Sequence, residues 1–253
     1  MIIPLWVQAY LWGAVAGSGL IIGALIAFSA SLPHRVVAIV MGFGSGVLIS
    51  TLSFSLIEEA YIHGGFFPTV TGLIAGGLLF STANWALSVH GARDRKRCGE
   101  CNRQPSETAQ AGSGLAIAVG ALMDGIPESL VIGISLVGGM AIDKAILIGF
   151  FLANIPEGLS SVSGMRHAGR STLYIFSVWG GIAFLSGIAS LTGYAAFGSL
   201  PVHVTALTTA LAAGGVLAMT AETMIPEAFE NAPHFIGTIT VIGFLTMFII
   251  TRI

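Results

Sequence analysis

Charge is what this chain has least of. Only 9% of its 253 residues are Asp, Glu, Lys or Arg, against about 25% in soluble domains. That scarcity excludes an ordinary water-soluble fold. The formal charge of −2 is too small to indicate a partner, and no basic patch marks a nucleic-acid surface. The N-terminus, MIIPLWVQAYLWG, lacks the positive n-region of a cleavable signal and reads as a first span. No segment is left for a soluble domain of useful size. One membrane domain, residues 1–253, is the expectation.

What is present is apolar. Hydrophobic residues make up 55% of the chain, and the mean hydropathy is +0.90. Thirty-four glycines suit close helix packing in lipid. Windows of about 20 apolar residues mark bilayer-crossing helices. They fall at 5–29, 36–58, 66–89, 112–138, 142–165, 173–197, 204–226 and 235–251. The fold class expected is therefore an all-α membrane protein of eight helices. Short connections such as SLPHR, HGGFFP and RHAGRS carry turn residues. The exception is a polar stretch at 90–111.

Lys and Arg set the expected orientation. With an external N-terminus, the inside loops hold Arg35, Arg93, Arg95, Lys96, Arg97, Arg103, Arg166 and Arg170, and the outside keeps Lys144 and Arg252. Both termini then face out, and the 90–111 loop faces the cytoplasm. Two internal echoes appear. GVLISTLSFSLIEEA (46–60) resembles GVLAMTAETMIPEA (215–228) with one gap, and DGIPES and NIPEG form a second pair. The first echo joins spans two and seven, so a 3+2+3 arrangement with inverted repeats is expected, as in many transporters.

The acids pose the chemical problem. Glu58 and Glu59 end span two, and Glu227 and Glu230 end span seven. Asp124, Glu128, Glu157 and Glu222 remain deep in apolar sequence. A mid-helix charge costs about 2.5–3.5 kcal/mol, so four unpaired ones would cost roughly 10 kcal/mol. No Lys or Arg lies deep in these spans to offset them, Lys144 standing at the edge of span five. Either the acids are protonated or an external cation joins them. Spacing favours the cation. Asp124 and Glu128 are four apart and share a helix face, about 6 Å apart along the axis. Asn154 and Glu157 are three apart and do likewise. Pro127, Pro156 and Pro226 leave the carbonyls of Met123, Leu152 and Glu222 without their helical donors. Three carboxylates and an amide would surround a divalent cation with oxygen.

These features together resemble the Zrt/Irt-like (ZIP) metal-ion transporters. The likeness rests on eight spans, a polar loop after the third, x-P-E-[GS] on spans four and five, TMIPEA on span seven and SLIEEA on span two. The resemblance implies uptake of a divalent metal, zinc first, through a midplane site on helices four and five. It also implies that helices one, four, five and six form a bundle that moves against the rest. Glu128 and Glu157 match the family's ligand glutamates. Asp124 stands where His is usual, Gly125 where Asn is usual, and Ala153 where His or Gln is usual. Span six carries no acid, although the family often has a Glu there. The expected ligands of one ion are Asp124, Glu128, Asn154 and Glu157. Glu222 is expected near the cytoplasmic exit or at a secondary metal position.

All six His lie in loops or at span ends, so the core offers no imidazole and no thiolate. Oxygen ligands suit manganese, magnesium or calcium, although zinc also accepts Asp and Glu. Cys98 and Cys101 form a C-x-x-C in the polar loop, half of a structural zinc site. No prosthetic group is expected. The expected partners are the metal cargo, the bilayer and a second copy of the chain in a homodimer. A prokaryotic plasma membrane is the expected location. An intramembrane hydrolase is the alternative from another class, but neither H-E-x-x-H nor G-x-S-x-G occurs. A metal sensor that does not transport is a third reading.

Overall fold

The structure is a computed structural model. It describes residues 3–30, 32–89, 113–137, 142–232 and 234–253. The described residues form helices and short connections, with no strand. Long apolar runs have one good option in lipid, because a helix satisfies every backbone donor and acceptor within itself. We number the helices α1 Leu5–Ser29, α2 His34–Gly64, α3 Phe66–Leu87, α4 Ser113–Ile134, α5 Lys144–His167, α6 Thr172–Phe197, α7 Val202–Glu230 and α8 Ile236–Arg252. Seven are long and apolar enough to cross a membrane, and α8 is apolar but shorter. Side chains such as Ile74, Leu78 and Leu79 on α3 point outward, as a lipid-facing surface requires.

Local chemistry sets the helix ends. Pro33 and Pro201 precede α2 and α7, where a missing N–H costs nothing. Asp143 caps α5 by accepting from the N–H groups of Ala145 and Ile146, at 2.8 and 3.2 Å. Ser171 caps α6. Gly169, at φ +73°, ends α5 in the left-handed conformation that glycine adopts without strain. Gly65 makes the sharp turn from α2 into α3 at the same φ.

Two helices run longer than the hydropathy windows. Spans two and seven were expected to stop at residues 58 and 226, but α2 continues to Gly64 and α7 to Glu230. Each includes a five-residue π segment, Leu52–Leu56 and Thr220–Met224. Back-bonding hydroxyls stand at the start of both turns. Thr51 donates to the Val47 carbonyl at 2.9 Å, and Thr220 to that of Val216 at 2.8 Å. These four residues correspond in the internal echo, and its one-residue gap falls at the π turn.

Pro127 and Pro156 each withhold a backbone donor, yet α4 and α5 stay helical through them. The Pro156 ring instead packs over Gly44 of α2. A Cβ there would lie 2.6 Å from Pro156 Cγ.

The helices pack as two sets. α1 lies against α4, α5 and α6, and α4 against α6. In the other set α3 lies on α7, and α2 on α8 and α7. Inside the sets, glycines bring backbones into contact from both sides. A Cβ on Gly23 of α1 would lie 2.1 Å from the Ile155 carbonyl oxygen, and one on Gly158 of α5 would lie 2.2 Å from that of Leu20. The pairs Gly46 and Gly243 (α2/α8), Gly76 and Gly214 (α3/α7), and Gly133 and Gly193 (α4/α6) repeat this arrangement. The sets meet along α2 with α5 and α4 with α7. At the α2/α5 seam the contacts are side chains on glycine: Pro156 on Gly44, and Thr51 on Gly149.

Candidate metal pathway

Four residues predicted as ligands are buried at the middle of the bundle. Asp124 and Glu128 on α4 are each 2% exposed, Asn154 on α5 is 4% and Glu157 is 5%. At about 1.5 Å per residue, Asp124 and Glu128 lie roughly 17 and 23 Å along α4, and Glu157 roughly 20 Å along α5. In a hydrocarbon core about 30 Å thick these are mid-depth positions. Among the described residues no Lys or Arg is buried. The carboxylates therefore sit where charge is most costly.

The neighbourhood is rich in hydroxyls. Ser129 is buried and donates to the Gly125 carbonyl at 2.9 Å, beside Pro127. Ser160, Ser161, Ser186 and Ser190 are buried too. Gly125 faces the Ser186 hydroxyl, with ordinary contact for an added Cβ at 3.9 Å. Asn154 ties α5 to α1 by donating from Nδ2 to the Ala16 carbonyl at 3.0 Å. That bond fixes the amide and turns its nitrogen away from ligand duty. α4 and α5 touch each other only slightly and lean on α1 instead. Among the described residues no three His, Cys, Asp or Glu side chains stand together as a ready metal cluster.

Glu222 does not join this group. It is exposed on the flank of α7, where Ser81 and Asn84 of α3 donate to its carboxylate, the Asn84 bond being 2.8 Å. Cys98 and Cys101 lie outside the described residues.

Glu227 is the residue that sequence reasoning missed. It was placed at the end of span seven, but α7 continues past it and the side chain is 0% exposed. Ser160 of α5 donates to its Oε1 at 3.4 Å. Ser160 lies one turn beyond Glu157 toward the end that carries Arg166. The signal was available. The triplet Ile-Pro-Glu occurs at 126–128, 155–157 and 225–227, and all three glutamates are buried.

Two cavities flank the buried acids at opposite ends of the bundle. One of about 250 Å³ lies among the C-terminal ends of α2 and α4 and the start of α7, with Glu59, His63 and Thr209 on its wall. The other, about 400 Å³, lies among the end of α1, the start of α2 and the end of α5, with His34, Ser163, Arg166 and His167 on its wall. Leu159 reaches the second cavity from the turn that holds Ser160. Glu59 and Glu227 correspond in the internal echo. Compared with known proteins, the chain matches no family model and no curated protein.

Proposed function

We propose that the chain carries a divalent metal cation across the membrane by alternating access, in the manner of the ZIP transporters it resembles. The observation behind this reading is the burial of Asp124, Glu128, Asn154 and Glu157 at mid-depth on two helices. Intramembrane acids are functional by default. A cation between α4 and α5 would find oxygen on both helices. Carboxylate oxygen from Glu128 and Glu157, with Asp124, the Asn154 carbonyl oxygen and water, would complete its shell.

The rest of the chain supports a path. Glu59 stands at one cavity and Glu227 stands between Glu157 and the other, so acids flank the middle on both sides. In the orientation set by Lys and Arg, Glu59 is on the outer side and Glu227 on the inner. The shared π turns of α2 and α7 support an inverted repeat and a 3+2+3 arrangement. The two packing sets are the parts that would rock against each other, with the α2/α5 seam between them. Zinc is the first candidate from the resemblance, and the oxygen-rich middle also suits manganese. The direction proposed is into the cytoplasm, across a plasma membrane.

The test is uptake of zinc, manganese, cadmium and iron(II) into liposomes. The reading expects uptake that falls at least tenfold with Glu128→Gln or Glu157→Gln in protein that still inserts and folds. Uptake that both variants leave intact, or no uptake of any metal by folded protein, would defeat it.

A further inference from the structure

The buried middle offers oxygen but no imidazole. Nitrogen appears at the wider cavity, in two imidazoles from different helices. His34 is the first residue of α2 and His167 the last of α5, and their ring centroids are 5.5 Å apart. We propose that His34 and His167 form a second binding site for a transition-metal cation, through which cargo passes on its way to the cytoplasm. The role in transport rests on the function proposed above; the binding does not.

Hydrogen bonding prepares the pair. His167 Nδ1 lies 2.7 Å from the Ser163 carbonyl oxygen. A carbonyl only accepts, so Nδ1 holds the proton and Nε2 of the neutral ring keeps its lone pair. A backbone carbonyl on the non-ligating nitrogen is the usual outer support of a metal-bound histidine. His34 Nδ1 is buried and has no hydrogen-bond partner. A buried ring nitrogen left without a partner in a cavity wall suits a ligand better than a packing role.

The neighbouring charge is already engaged. Arg166 donates to the Ala27 carbonyl at 2.6 Å and the Phe28 carbonyl at 3.3 Å, and stacks on the Phe28 ring at 5.0 Å. Its guanidinium thus caps the negative end of α1. Arg35, the next residue of α2, is exposed. Two protein nitrogens leave two positions of a tetrahedral ion open, and a cavity of about 400 Å³ has room for water there. A half-protein shell makes a labile site, as release requires. Nitrogen ligands favour zinc, copper and iron over magnesium and calcium. His34 and His167 also belong to different packing sets, so a bound ion would bridge the α2/α5 seam.

The experiment removes the two glutamates of the middle site and the two cysteines from the full chain. In purified protein carrying Glu128→Gln, Glu157→Gln, Cys98→Ser and Cys101→Ser, one equivalent of copper(II) is added and read by electron paramagnetic resonance, with zinc titrated in parallel by calorimetry. The proposal expects two-nitrogen coupling. It expects one nitrogen after His34→Gln or His167→Gln, with zinc affinity at least tenfold weaker. His63→Gln should change neither. Thermal unfolding of each variant confirms folding, and the nitrogen count needs only the folded fraction. A spectrum without two nitrogens, or one unchanged by both substitutions, overturns the site. So does stabilisation by inorganic phosphate that needs His34 and Arg166 while zinc has no effect, since that would mark an anion site. Two-nitrogen binding in a chain that moves no metal would leave the site standing and defeat the transport reading.

Discussion

Adding one methyl group at Gly44 should change how the two helix sets rest on each other. A Cβ there would lie 2.6 Å from Pro156 Cγ and 3.3 Å from Met224 Cε. Ordinary carbon contacts are about 3.5–4.0 Å, so α2 and α5 would have to part by about 1 Å. Overpacking of this kind costs about 1–3 kcal/mol. If the seam opens and closes during transport, that cost falls only on the closed arrangement. The equilibrium would then move toward the opened one by about 5- to 150-fold, at tenfold per 1.4 kcal/mol. The readout is the labelling rate of Ser163→Cys, which lines the cavity at this seam, in a Cys98→Ser, Cys101→Ser background. Gly44→Ala should change that rate at least fivefold and slow uptake without a matching loss of fold. Gly46→Ala is the contrast. Its Cβ would meet the Thr240 carbonyl oxygen at 1.9 Å inside one set, so it should lower the melting temperature. If Gly44→Ala leaves labelling and uptake unchanged, or only destabilises as Gly46→Ala does, the seam is not a moving surface.

Glu227→Gln should cut metal uptake at least tenfold with the fold retained, because it removes the third buried Ile-Pro-Glu carboxylate; Ser160→Ala, which removes only its 3.4 Å donor, should cost less than threefold in the same liposome assay. Arg166→Ala should destabilise by about 1–2 kcal/mol, a discounted value for charged hydrogen bonds at an exposed residue, read as a lower melting temperature. Gly180→Ala should be neutral or stabilising by up to about 1 kcal/mol, since nothing lies within 4 Å of the added methyl and alanine is the better helix former.

Hydropathy located the helices because lipid leaves the backbone no alternative, and its errors have one cause. A window scale stops at Glu58 and at Pro226, reading acid and proline as ends. In the structure α2 and α7 run on past both points after their π turns, and the continuing segments pack against other helices, with Ala60 and Glu227 buried. The prolines show a related limit. A missing N–H was legible at Pro127 and Pro156, whereas the response of the helix was not. Gly44, more than a hundred residues away in sequence, offers the Pro156 ring a groove to fill.

The buried acids divide along the same line. Asp124, Glu128 and Glu157 could be picked out because each sits in the centre of an apolar run, where burial follows from span geometry alone. Glu222 satisfied the same criterion but lies on the flank of α7, held by Ser81 and Asn84, because a helix has an outer face as well as an inner one. Glu227 failed the criterion and is the most buried of all. Its burial brings it against Ser160 of α5, a contact between the two packing sets that no single-helix pattern contains. Depth along a span is thus readable one helix at a time, and side is not. The repeated Ile-Pro-Glu triplet supplies the missing side. In all three copies the glutamate directly after the proline faces inward, so the triplet, and not the hydropathy of its surroundings, marks which acids face the interior.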